Sequence, residues 1–263
     1  MRLPWLRPGI HTPGMTLEGR VALVTGAGGQ GMGRSIALTL ARDGADVIVN
    51  YRRNRAPAEG VARAIEATGR RAMVYAADIG EAADVDAMVA AAVERFGRID
   101  IVVNSAGGPW KPQDVTEIEP AHLRAVLARE VESMFHLLRA ALPGMRARGW
   151  GRVVSIGGHM ADDWRFGPPR APIDYPLGKA ARHWLTRTLA PREAAHGITI
   201  NAVAPGPTPH VSFDEALAAV RGEQRPHDGN TPQDVAEVVA FLCSDAAARI
   251  TGSVIPMPGA TAV

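Results

Sequence analysis

The chain has 263 residues, 46% hydrophobic and 21% charged, which suits one globular domain with a large core. Its net charge of +2 comes from arginines scattered among acids, so no nucleic-acid surface is expected, and no apolar run approaches the ~18 residues of a membrane span. A single cysteine, Cys243, excludes an intramolecular disulfide and fits a reducing, cytoplasmic setting, and the eight histidines form no HxxxH pair or Cys/His cluster suited to a metal.

Residues 1–16 read as an irregular arm containing Pro and Gly, without the apolar stretch of a secretory signal, and residues 17–263 as one domain. Short β-branched runs at 21–24, 47–50, 72–76, 101–104, 152–156, 199–203 and 253–257 predict strands. Longer Ala-rich amphipathic segments lie between them, the alternation of βαβ units. The strands are nearly continuous in apolar residues, so the expected fold is α/β, a parallel sheet of about seven strands with helices on both faces. Gly44 and Gly69 stand where helices should end. Thr231-Pro232-Gln233-Asp234 reads as a capped helix start, with Thr231 as N-cap and Pro232 at the first position.

After the first strand comes Thr25-Gly26-Ala27-Gly28-Gly29-Gln30-Gly31-Met32-Gly33-Arg34, followed by a helical run. Glycines there let the backbone approach a pyrophosphate, whose charge meets the helix N-terminus. The alternative is a simple strand-to-helix turn. At this point the chain resembles the short-chain dehydrogenase/reductases, whose loop reads TGxxxGxG, although one extra residue separates Gly26 from Gly31. Further matches follow in the family's order. Asp78, followed by Ile79, occupies the place where that family hydrogen-bonds adenine. Asn104-Ser105-Ala106-Gly107 matches its Asn-Asn-Ala-Gly element. Asn201-Ala202-Val203-Ala204-Pro205-Gly206 resembles the stretch that brings amides to the nicotinamide carboxamide, with Thr208 beside it. Ile250-Thr251-Gly252 matches the entry to the last strand, where Met257-Pro258-Gly259-Ala260 replaces the usual VDGG ending.

The resemblance runs from about Leu17 to the C-terminus. It implies a Rossmann-like doubly wound fold and a nicotinamide cofactor held by Gly26, Gly28, Gly31, Met32, Gly33, Tyr51, Arg52, Asp78, Ile79, Asn104, Ala106, Gly107, Tyr175, Lys179, Pro205, Gly206 and Thr208. It also implies a homodimer or homotetramer assembled through two long helices, here at about 120–142 and 175–195. Cofactor type turns on the end of the second strand, Asn50-Tyr51-Arg52-Arg53. An acid there would accept from the ribose 2′-hydroxyl of NAD, whereas Arg52 suits the 2′-phosphate of NADP. NADP(H) is therefore expected over NAD(H), unless Arg52 and Arg53 are simply solvated surface charges.

Tyr175-Pro176-Leu177-Gly178-Lys179 gives the family's YxxxK motif, with both side chains on one helical face. A free phenol has a pKa near ~10, and a neighbouring ammonium is expected to lower it and let Tyr175 exchange a proton as hydride moves. Only Lys111 and Lys179 are lysines in this arginine-rich chain, which makes a chance pairing a poor explanation. Two family positions are altered. The carbonyl-orienting serine falls on Gly158. The asparagine of an Asn-x-x-x-x-Phe pattern, which in the family helps hold a relay water beside the lysine, falls on Glu130, five before Phe135. A carboxylate there could still hold that water but would oppose the lysine's effect on Tyr175. Ser155 lies three positions too early. His159 is the first candidate to replace the serine, followed by Asp162 and Asp163, though His159 also reads as a surface histidine. Trp110, Trp164, Phe166 and Phe213 fall where loops would surround a substrate, and either line its pocket or cover the core.

These residues lead to an NADPH-dependent reductase acting on the C=O, or a related C=N or C=C group, of a small substrate that is aromatic if those rings line the pocket. A second reading keeps fold and cofactor but uses Tyr175 as the acid/base of a lyase, isomerase or cyclase. A third is a non-catalytic cofactor-binding protein.

Overall fold

The computed structural model describes residues 16–108, 113–159, 161, 173–223 and 229–259. Strands β1 (Val21–Val24), β2 (Asp46–Tyr51), β3 (Ala72–Ala76), β4 (Ile101–Asn104), β5 (Gly151–Ile156), β6 (Ile198–Pro205) and β7 (Val254–Met257) form one sheet. All neighbours pair in parallel, in the order β3-β2-β1-β4-β5-β6-β7. Chain direction across the sheet reverses between β1 and β4. In such sheets the crevice beyond the carboxyl ends of the strands at the reversal is where ligands sit.

The helices are α1 (Met32–Arg42), α2 (Arg55–Glu66), α3 (Ala82–Phe96), α4 (Pro120–Leu127), α5 (Ser133–Arg148), α6 (Asp174–Ala194), α7 (Phe213–Val220) and α8 (Pro232–Cys243). Alternation along each strand splits the core in two. On β1, Ala22 and Val24 join the layer with Ile36 and Leu40 of α1 and Val235 and Val239 of α8. Val21 and Leu23 face the other way, onto Met88 of α3 and Leu137 and Met145 of α5. Both faces of β1 are thus covered, which is why the strand is apolar throughout.

Local chemistry sets the helix ends. Thr231 Oγ1 accepts from the Asp234 amide while the Asp234 carboxylate accepts from the Thr231 amide, a reciprocal cap that starts α8. Gly44, after α1, has φ +112°, where a side chain would be strained.

Some expectations need correction. The helix expected over 120–142 is three pieces ending at Arg148, because residues Ala128–Glu132 form a π turn between α4 and α5. Phe213 begins a helix, α7, instead of lying in a loop; it packs against the core, one of the two readings open to it, with the Arg34 guanidinium 5.5 Å from its ring centroid. β2 and β6 run one to two residues past their expected ends. The arm at 1–15, Trp110, Asp162, Asp163, Trp164 and Phe166 lie outside the described residues. Among the described residues no helix is long and apolar enough to cross a membrane, and no group of His, Cys, Asp or Glu has the makings of a metal site.

Candidate active site and cofactor crevice

The glycine-rich turn joins β1 to the N-terminus of α1, at the sheet reversal. Gly26 has φ +67°, and a Cβ there would fall 3.1 Å from Ala106 Cα, so the turn and the segment after β4 close only on glycine. Gly33 lets α1 start against the turn, since its Cβ would fall 2.8 Å from Gly26 O. Gly28 is buried against Ala58 and Tyr51, while Gly29 and Gln30 are exposed and Gly31 is the N-cap of α1. Met32 opens α1 and packs against the core. The extra residue is accommodated by buried Arg34, whose Nε and Nη2 donate to Gly29 O at 2.9 and 2.6 Å. Sequence reading missed this clamp, because one arginine among many gave no signal.

The strand ends are stitched together by polar side chains. Asn50 Oδ1 accepts from Gly26 N at 3.2 Å and its Nδ2 donates to Ala77 O. Thr25 Oγ1 accepts from Ser105 N and Ala106 N and donates to Asn104 Oδ1, while Asn104 Nδ2 donates to Ser133 Oγ on α5. Above them opens a crevice of about 120 Å³ lined by Gly26, Asn50, Arg52, Ala77, Asp78, Ile79, Ala106, Gly107 and Arg129. Arg52 Nη1 lies 3.3 Å from Asp78 Oδ2, so the arginine at the end of β2 faces the crevice through a half-exposed ion pair. Arg129 was not anticipated. It brings a second guanidinium to the same crevice, with its Nε buried and without a hydrogen-bond partner among the described residues.

At the carboxyl end of β5, α6 carries Tyr175 and Lys179 on one face. The Lys179 ammonium donates to Ile156 O at 3.0 Å and lies 5.2 Å from the centre of the Tyr175 ring. It also meets Glu130 Oε2 at 3.1 Å, and that oxygen is 3.0 Å from Arg182 Nη2. All three charged side chains are buried. Arg182 is the functional neighbour that sequence reading overlooked; its signal is the spacing of three from Lys179, which puts both on the same helical face.

These charges decide the protonation states. Burial pushes the Tyr175 hydroxyl up to about 12, the Glu130 charge adds to this, and Arg182 opposes it. In this structure burial and the Glu130 charge outweigh any lowering of the phenol. Burial lowers Lys179 to about 8, helped by Arg182 and opposed by Glu130. Burial alone would raise Glu130, but Lys179, Arg182 and the Gly108 amide outweigh it and hold the carboxyl below its ordinary value.

Gly158 sits where the orienting serine was sought. Its amide donates to His183 Nε2 at 3.4 Å, and a Cβ there would press on Lys179 Cγ at 3.2 Å. Ser155 is buried in β5 facing Thr186, away from this role. His159 is tied by its amide to Pro205 O at 3.0 Å, and its Nδ1 is buried with no partner among the described residues. Gly206 follows β6, bonded to Met257 O, and Thr208 Oγ1 turns back to Gly206 O.

A family model described as "Enoyl-(Acyl carrier protein) reductase" matches residues 26–259. The chain is 33% identical to the acetoacetyl-CoA reductase of Allochromatium vinosum, over 91% of this chain and 97% of that one. Among solved structures it superposes with a TM-score of 0.81 on one described as a short-chain alcohol dehydrogenase from Sinorhizobium meliloti, at 32% identity over 94% of this chain and 98% of the other. It also resembles an NAD+-bound xylitol dehydrogenase, with a TM-score of 0.79 and 27% identity over 92% and 98% of the two chains. Sheet order, glycine turn and family match agree: this chain is an oxidoreductase of the short-chain dehydrogenase/reductase family, a family that binds nicotinamide cofactors.

Proposed function

We propose that this protein is an NADPH-dependent reductase that delivers hydride to a carbonyl, or a related C=N or C=C group, of a small substrate, with Tyr175 as proton donor. The observation that carries this reading is the Tyr175–Lys179 pair on one face of α6, beside a crevice whose turn closes only on glycine. The residues fit a dinucleotide: a helix N-terminus at the turn, an open crevice, and Arg52 without an acid on its own strand end. A 2′-phosphate would compete with Asp78 for Arg52, and the unpartnered Arg129 Nε marks a second cation in reach of the crevice.

The nicotinamide, when bound, supplies the hydride. Tyr175, held neutral by burial, is suited to give its proton to the substrate atom that gains negative charge. The Lys179 ammonium then stabilises the phenolate left behind, and Ile156 O and Glu130 keep it in place. With glycine at 158, the polar group that orients the substrate passes to His159, whose Nδ1 has no partner among the described residues. The same reading makes α5 and α6 an assembly surface for a homodimer or homotetramer, since Phe135, Leu177 and Trp184 are exposed large apolar side chains there. Cys243, free and buried, fits a reducing cytoplasm.

Consumption of NADPH with a panel of aldehydes, ketones and imines tests the reading. Tyr175→Phe should lower turnover by about 10²–10⁴-fold while cofactor affinity holds. Turnover retained in Tyr175→Phe, or product formed without NADPH consumption, would contradict it.

A further inference from the structure

Glu130 poses a problem for the reaction just proposed. Its carboxylate is fully buried beside the lysine that should stabilise the Tyr175 phenolate, and a lone carboxylate there would cancel the ammonium. The surroundings nevertheless make room for it. A Cβ on Gly178 would fall 2.4 Å from Glu130 Cβ, and one on Gly107 would fall 2.6 Å from Glu130 Oε1. Gly108 donates its amide to Oε1. A glutamate with this much accommodation is part of the site.

Arg182 is what the carboxylate is matched to. Its guanidinium lies 3.0 Å from Glu130 Oε2, an ion pair by distance, while its hydrogen bonds go to backbone carbonyls: Nε to Glu130 O, Nη1 to Asn104 O and Ile156 O, and Nη2 to Ala106 O and Arg129 O. Two of those carbonyls belong to the π turn, whose wider hydrogen-bond pattern changes how backbone groups are satisfied. Asn104 and Ile156 end β4 and β5, and Ala106 lies two residues beyond β4. The cation is therefore locked in place by a planar fork that lysine could not reproduce. Two buried cations and one buried carboxylate leave one net positive charge, as a lone lysine would.

We propose that Arg182 is a positioning residue paired with Glu130: it cancels the carboxylate so that Lys179 keeps one net positive charge beside Tyr175, and it braces the π turn that carries Glu130. The directions of the Tyr175 shift agree, since Glu130 raises it and Arg182 lowers it. Other titratable groups near this helix face are Asp174, which contacts His122 of α4 at 3.0 Å, His183 on α6 and His159 after β5. No ion pair joins any of these to the Glu130 cluster among the described residues. The functional meaning of this pairing rests on Tyr175 being the acid, but its electrostatics do not.

The chain has three tyrosines, so ultraviolet titration of tyrosinate, with each variant referenced to its Tyr175→Phe counterpart, isolates Tyr175 without cofactor or substrate. Glu130→Gln should lower the Tyr175 pKa by roughly one to two units, because the Arg182 cation then acts on the phenolate with no carboxylate to oppose it, Lys179 being neutral at the alkaline pH where this phenol ionises. Adding Arg182→Met should return it towards the wild-type value. An unchanged Tyr175 in Glu130→Gln would overturn the proposal, and so would a double variant with Arg182→Met that titrates like Glu130→Gln. Should Arg182→Met prevent folding, the Glu130→Gln arm decides alone. Failure here would leave the turnover test of Tyr175→Phe untouched, so the two claims fall separately.

Discussion

His159, which follows Gly158, holds a buried Nδ1 with no partner among the described residues, beside a backbone pinned to Pro205. An unmade bond of this kind is costly unless a ligand completes it. His159→Ala should therefore reduce turnover by about 10²–10³, the loss typical of one donor to developing charge, with little change in NADPH affinity. Steady-state rates paired with cofactor titration would check this, and unchanged turnover would remove His159 from the site. Tyr175 and Lys179 were legible because a four-residue spacing has one geometric meaning on a helix. Arg182 was not, since an arginine-rich composition hides a single buried arginine. That the Glu130 charge works against Lys179 was legible from the position it takes in the motif, whereas the part Arg182 plays in the protonation of Tyr175 was not.

At the scale of elements, the junction of β5 with α6 is the tightest fit in the site. A Cβ on Gly157 would fall 2.0 Å from His183 Nε2, an overlap that must move the α6 side chain. Gly157→Ala should destabilise the protein by about 1–3 kcal/mol, the range for overpacking a filled core. Adding His183→Ala should recover part of that loss in thermal melts; no recovery would place the strain elsewhere. The strands were readable from sequence because burial on both faces forces continuous apolar runs, as β1 and β4 show. The π turn at Ala128–Glu132 was not, because widening one helical turn leaves hydrophobic periodicity almost unchanged on either side. The helix that Phe213 begins was not legible for a related reason: one aromatic between polar residues does not reveal that Ser212 caps a helix there.

Across the whole molecule, the order of the parallel strands places every candidate group at one edge of the sheet. The turn after β1, the Arg52–Asp78 pair, the segment after β4, and α6 after β5 all border the crevice at the reversal or lie beside it. That convergence was foreseeable from the alternation of strands and helices, and the ion pair between Arg52 and Asp78 was not. The central claim, an enzyme built for NADPH, rests on what Arg52 prefers to bind. Calorimetric titration of NADPH and NADH into the wild-type protein and into Arg52→Ala tests it most directly. NADPH should bind the wild type more tightly than NADH, and Arg52→Ala should weaken NADPH by about 1.5–3 kcal/mol while NADH is nearly unaffected. Equal or tighter binding of NADH by the wild-type protein would contradict the account.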